Sequence, residues 1–169
     1  MKVVMDASPA IFLAKIRCLK WVHALFGDDI QVTSSVREET MATGMDFGEA
    51  EELNNFFTRC SVKAVQSSQR FSSALSGPDN DALALAVECG AKILICDDRI
   101  LRVMAEAEGI RPVGTLGILL RAMREGWITP TEARRLVDVL VRQYGFRIGI
   151  EVYQSVLATI EAHRPPPDA

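Results

Sequence analysis

The 169 residues are enough for one domain, or for one domain and a short helical appendage. Hydrophobic residues make up 49%, so a sizeable core is available, and the charged fraction of 24% is ordinary for a soluble globule. A net charge of −3 argues against nucleic-acid binding by bulk electrostatics, so any such activity must rest on local patches and metal ions.

In chain order, residues 2–5 read as a short buried strand that runs straight into Asp6. Ser8-Pro9 predicts a helix start, with Ser8 as N-cap and Pro9 at the first helical position. Helical spacing then continues through Phe12, Leu13, Ile16, Leu19, Val22 and Phe26 to a stop at Gly27. Residues 30–33 form the second predicted strand. In the helix after it, Ser35 and Glu38 have capping-box spacing, which occupies Glu38 and leaves Glu39 free. Residues 48–59 read as a helix with Glu-rich first turns, and 60–65 as a third strand.

The polar, Ser-rich stretch 66–79 predicts a loop. Gly77-Pro78 then opens a very apolar helix over 79–89, stopped by Gly90. Residues 92–96 (Lys-Ile-Leu-Ile-Cys) have the continuous apolar character of a strand in a parallel sheet, and the segment ends at Asp97-Asp98. A helix over 99–108, a strand over 110–113 and a helix over 116–124 follow. Thr129-Pro130-Thr131-Glu132 caps a helix over about 130–143, and a last helix covers 149–162. The Pro-rich tail 164–169 is expected to fray, and no apolar stretch reaches the roughly 20 residues of a membrane span.

Alternating strands and helices imply an α/β fold with a mostly parallel sheet, in which sites form at the carboxyl ends of strands. Asp6 and Asp97 each follow an apolar strand, and Asp79 opens the helix before the second of these. Glu39 lies on the helix after residues 30–33. Each acid alone reads equally as a cap, a turn former or a solvated helix residue. Together they would converge at one sheet edge, where mutual repulsion calls for a divalent cation. A donor set of hard oxygens without His or Cys favours Mg²⁺ or Mn²⁺ over zinc, and suits phosphoryl chemistry. Asp98, directly before its helix, is the better cap, which leaves Asp97 for the site.

Cys18, Cys60, Cys89 and Cys96 contain no CxxC pair and have only His23 and His163 to help them, so a zinc site is excluded in favour of buried reduced thiols in a cytosolic protein. No GxGxxG or P-loop follows a strand. Ser8 stands where a haloacid-dehalogenase phosphatase would need a second Asp, and a receiver domain would need an acidic pair where only Asp6 is present.

Four segments carry a resemblance: Val3-Val4-Met5-Asp6-Ala7-Ser8, Val36-Arg37-Glu38-Glu39, Asp79-Asn80-Asp81-Ala82-Leu83-Ala84-Leu85-Ala86 and Ile93-Leu94-Ile95-Cys96-Asp97-Asp98. In this order they resemble the PIN-domain family, specifically the VapC-like toxin ribonucleases and their relatives. The resemblance spans residues 1–125, with 126–163 as a C-terminal helical extension packed on the same domain. It implies a three-layer α/β/α fold with a central parallel sheet, and cleavage of single-stranded RNA with Mg²⁺ or Mn²⁺. By motif, Asp6, Glu39, Asp79 and Asp97 would be catalytic and bind metal, with Ser8 in support. Asp81 and Asp98 are alternatives for a ligand role, and Glu38 is an alternative to Glu39.

Arg99 and Arg102 at the mouth of the proposed site, with Lys15, Arg17 and Lys20 on the first helix, are candidates for RNA phosphate contacts, though each also reads as a solvated helix residue. The resemblance further implies a cytoplasmic homodimer paired with a small antitoxin. Leu136, Val139, Leu140, Val152, Val156, Leu157 and Ile160 serve either a dimer or the core. The competing reading is a non-catalytic PIN-like module that binds RNA or protein.

Overall fold

The computed structural model describes residues 1–44, 46–65 and 71–163. Residues 66–70 of the predicted loop and the tail 164–169 lie outside the described residues. Five strands form one sheet: β1 (Val3–Met5), β2 (Ile30–Thr33), β3 (Ser61–Lys63), β4 (Ile93–Ile95) and β5 (Arg111–Val113), in the order β3-β2-β1-β4-β5. Every pairing is parallel. The central strands β1 and β4 are buried at every position, which explains their unbroken apolar sequence. The edges are polar or interrupted: β3 is exposed throughout, and β5 contains Pro112, which an edge strand tolerates because one side of it has no ladder partner.

The helices among the described residues are α1 (Ala7–Lys15), α2 (Lys20–Phe26), α3 (Ser34–Ala42), α4 (Phe47–Thr58), α5 (Gly77–Cys89), α6 (Arg99–Ala107), α7 (Thr115–Arg124), α8 (Pro130–Arg142) and α9 (Ile150–Ala162). Within residues 1–115 the sheet and its helices build the three-layer α/β/α arrangement expected from the alternation. The chain divides into two compact units after Thr115. In the second, Leu136, Leu140, Val156 and Ile160 are buried, while Val152 is exposed. Tyr153 Oη lies 3.0 Å from Asp138 Oδ1 and ties α9 to α8. Among the described residues no helix is long and apolar enough to cross a membrane.

Three local expectations are corrected. The helix predicted from Ser8 to Phe26 is two helices. It starts earlier, with Asp6 rather than Ser8 in the N-cap position. It breaks at Arg17, whose φ of 58° is left-handed. There the Arg17 amide donates to Ala14 O at 3.0 Å and the Cys18 amide to Leu13 O at 2.8 Å, the Schellman pattern that closes a helix. Arg in place of the usual Gly hid this stop from the sequence. The capping box expected between Ser35 and Glu38 is also absent. Thr33 caps α3 by accepting from the Val36 amide, and Glu38 is exposed. Finally, Cys18 and Cys96 are buried free thiols as expected, but Cys60 and Cys89 are only half-buried.

Candidate active site

The strand order places a switch point at the centre of the sheet. From β1 the chain steps outward to β2 and β3, and from β4 it steps the other way to β5. The crevice at the carboxyl ends of β1 and β4 is where α/β sheets of this kind bind ligands. Met5 is in register with Ile95, so the residues following them, Asp6 and Cys96, emerge side by side. The Asp6 amide donates to Ile95 O at 2.9 Å and fixes the acid at this edge.

Asp6 is 2% exposed, and its Oδ1 is buried without a hydrogen-bond partner. Its pKa is pushed from 3.8 up to about 8. Burial is the largest cause and the Asp79 carboxylate the next. Glu39 adds to the rise, and the amides of Ala7 and Ser8 oppose it. Glu39, on α3, is exposed, yet partial desolvation and then the Asp79 carboxylate hold it above the usual carboxylate range. Asp79 sits in the first turn of α5 within a capping box. Its amide donates to Ser76 Oγ at 3.2 Å, and its Oδ2 accepts from the Ser76 amide at 3.2 Å. Strand β1, helix α3 and helix α5 thus bring three acids into one electrostatic group.

Asp97 has different partners. Its Oδ1 accepts from the Thr115 amide at 2.8 Å and its Oδ2 from the Thr115 hydroxyl at 2.6 Å. Burial raises its pKa, while the Thr115 hydroxyl and amide, and then the Arg102 guanidinium, pull it back down. Asp98 caps α6 through the Leu101 amide at 2.9 Å, as its place before the helix indicated. Asp81 Oδ2 accepts from Ser35 Oγ at 2.6 Å and links α5 to α3. Ser8 is half-buried beside Asp6 on the first turn of α1.

Of the candidate cations, Arg102 reaches back to donate to Cys96 O at 3.2 Å, and Arg99 is exposed at the start of α6. Lys15 pairs with Glu49 at 3.5 Å, and the exposed Arg17 pairs with Asp46 at 2.7 Å. Lys20 is exposed at the start of α2, where it lines a pocket of about 370 Å³ with Arg17, His23 and Arg59. Of the three phenylalanines of α4, Phe56 and Phe57 are buried and Phe47 is 86% exposed.

Among the described residues, no group of three or more His, Cys, Asp and Glu side chains is arranged to hold a metal ion. The chemistry of the group nonetheless fits a hard divalent cation. Its donors are all carboxylate oxygens, and a buried, unpartnered Asp6 oxygen that also feels the charges of Asp79 and Glu39 is stable as an anion only beside positive charge. Asp6, Glu39 and Asp79 are the residues that would hold the ion.

Three supporting residues escaped the sequence reading. Asn80 is 4% exposed. Its side-chain amide donates to Ser72 O, Leu75 O and Ser76 O at 3.0, 3.2 and 3.0 Å. Its Oδ1 accepts from the amides of Phe71 and Ser72 at 2.9 and 3.3 Å. Asn80 therefore moulds the segment that delivers Ser76 to Asp79. The signal was an amide between two acids in an otherwise apolar helix. The others, Gly114 and Thr115, form the turn from β5 into α7, and only the register Ile95↔Val113 shows that they face Asp97.

The family model for DUF3368, described as a PIN domain, matches residues 2–162. The fold is similar to that of a solved PilT N-terminus domain protein from the hyperthermophilic archaeon Sulfolobus solfataricus. The TM-score is 0.53 at 20% identity, covering 72% of this chain and 92% of that one. No curated protein matches the chain significantly.

Proposed function

Because the chain belongs to the PIN-domain family, whose members are generally nucleases, we propose that it is a ribonuclease that cleaves single-stranded RNA with Mg²⁺ or Mn²⁺. The observation that carries this reading is the buried Asp6 oxygen without a partner, at the switch point of a parallel sheet and coupled to Asp79 and Glu39. A divalent cation at such a site lowers the pKa of a water and offsets charge on phosphate oxygens. Asp6 supplies a fixed oxygen at the base of the crevice. Asp79 is held by the Ser76 cap, and Glu39 closes the group from α3. Arg99, exposed at the start of α6, and Arg102 beside Asp97 supply positive charge for the RNA backbone.

The test is cleavage of a single-stranded RNA with Mg²⁺ or Mn²⁺, with and without EDTA, by wild type and by Asp6→Asn and Asp79→Asn. The expected result is loss of cleavage in EDTA and in both variants. Equal residual cleavage in the variants would mean a contaminating nuclease. In this reading the protein acts in the cytoplasm as a homodimer and is restrained by a small antitoxin encoded next to it. Size-exclusion chromatography and the neighbouring reading frame test those two points.

A second reading, a PIN-like module that binds RNA or protein without turnover, is favoured by one observation: Asp97, one of the four expected acids, is held by Thr115 and has its charge offset by Arg102. Titration with Mn²⁺ separates the two, since a module without turnover has no need of saturable cation binding.

A further inference from the structure

We propose that Asp97 is a positioning residue rather than a cation ligand: it locks the turn from β5 into α7 against the carboxyl end of β4, so the cation-facing set is Asp6, Glu39 and Asp79. This rests on the cation reading of the same site. Each Asp97 oxygen accepts one hydrogen bond from Thr115, from its amide at 2.8 Å and from its hydroxyl at 2.6 Å, and the Arg102 guanidinium beside the same carboxylate already offsets its charge, so Asp97 has no need of a cation. A carboxylate held by a backbone amide and a hydroxyl of one residue has its orientation set.

The surroundings are built around that lock. Gly114 has no Cβ, and one placed there would stand 2.8 Å from Asp97 Oδ1 and 3.2 Å from Arg102 Nη1. Arg102 donates to Cys96 O at 3.2 Å, and the Cys96 amide donates to Val113 O at 2.9 Å. The backbone on both sides of Asp97 is therefore pinned from α6 and from β5. Asp6 contributes to the electrostatics of its neighbour Cys96, but the charged neighbour felt by Asp97 is Arg102. Thr115 and Asp97 thus set the rim beside Asp6 without joining the acid group.

The asparagine variant separates the roles. An Asn side chain still accepts from the Thr115 amide and can donate to its hydroxyl, so it preserves the lock while surrendering the anionic donor. Mn²⁺ affinity by calorimetry and thermal melting are measured on wild type, Asp6→Asn, Asp97→Asn, Asp97→Ala, Thr115→Val, Thr115→Ser and the double variant Asp97→Ala with Thr115→Val. Asp97→Asn is expected to keep Mn²⁺ affinity within about threefold because it preserves the lock, and Asp6→Asn to lose about tenfold or more because it removes an anionic oxygen donor. Asp97→Ala and Thr115→Val are each expected to lower the melting temperature by about 3–8 °C, non-additively when combined, with Thr115→Ser restoring most of it.

Loss of Mn²⁺ binding in Asp97→Asn, as deep as in Asp6→Asn, overturns the proposal. Additive or absent melting shifts in Asp97→Ala and Thr115→Val overturn it as well. A wild type that binds no Mn²⁺ defeats the nuclease reading instead, and the melting series still decides the role of Asp97.

Discussion

Gly114 stands so close to Asp97 that a Cβ at position 114 would lie 2.8 Å from the Asp97 carboxylate and 3.2 Å from the Arg102 guanidinium. Neither neighbour can yield freely, because Asp97 is tied to Thr115 and Arg102 to Cys96 O. Gly114→Ala is therefore expected to destabilise the protein by about 1–3 kcal/mol, as other overpacked sites do. Denaturant melts check it, and an unchanged midpoint would mean the turn has room that the geometry denies it.

Asp6 gives the metal-free protein a pH dependence of definite sign. Its native pKa of about 8 lies above the ordinary 3.8, so between those values the unfolded chain has released a proton that the native state keeps. The native state then binds more protons, and this contribution to stability falls as pH rises. His23 acts in the opposite sense: burial, then Arg59, lowers its pKa, so it destabilises the native state as pH falls below the ordinary 6.5. The readout is therefore the difference between wild type and Asp6→Asn in EDTA. The gain from Asp6→Asn should grow from about pH 5 to about pH 8, and saturating Mn²⁺ should shrink it. A constant gap across that range contradicts the burial of an ionisable Asp6.

Asn80 holds the segment before α5 by both ends of its side-chain amide. Replacing it with alanine strands the amides of Phe71 and Ser72 and frees the approach to the Ser76 cap. A loss of about 2–3 kcal/mol is expected. Faster hydrogen exchange should appear at Phe71 and Ser72 ahead of the sheet. Uniformly faster exchange would instead mark a global role.

Ser35 and Asp81 join α3 to α5 at 2.6 Å, close to where Glu39 and Asp79 leave those helices. A double-mutant cycle of Ser35→Ala with Asp81→Asn should give a coupling energy of about 1 kcal/mol. Additivity would mean that the two helices are held by their apolar contacts alone.

The framework was readable because its signals are local. Unbroken apolar runs gave β1 and β4, Thr129-Pro130 gave α8, and Asp98 before Arg99 gave the cap of α6. The break after α1 was not readable, because its left-handed residue is Arg17 and no glycine marks it. The cap of α3 was misplaced by two residues, since Thr33 and Ser35 offer the same chemistry and only the fold assigns Ser35 to Asp81. At the site, strand ends pointed to Asp6 and Asp97. Their separate environments depend on which hydroxyl lies opposite, and Thr115 reaches Asp97 only through the pairing of β4 with β5.

The left-handed turn at Arg17 also ties two distant positions together. It sends the guanidinium onto Gly48 in the first turn of α4, where a Cβ would overlap it, and onto Asp46, the cap of that helix. A side chain at 48 would have to push the guanidinium off Asp46. The guanidinium is the free end of a flexible, exposed side chain and the loss of its ion pair is slight, so it can yield. Position 48 should therefore accept alanine at little cost while Arg17 stays in place, whereas at 17 the left-handed backbone itself restricts the choice, glycine or asparagine being the replacements it accepts most readily.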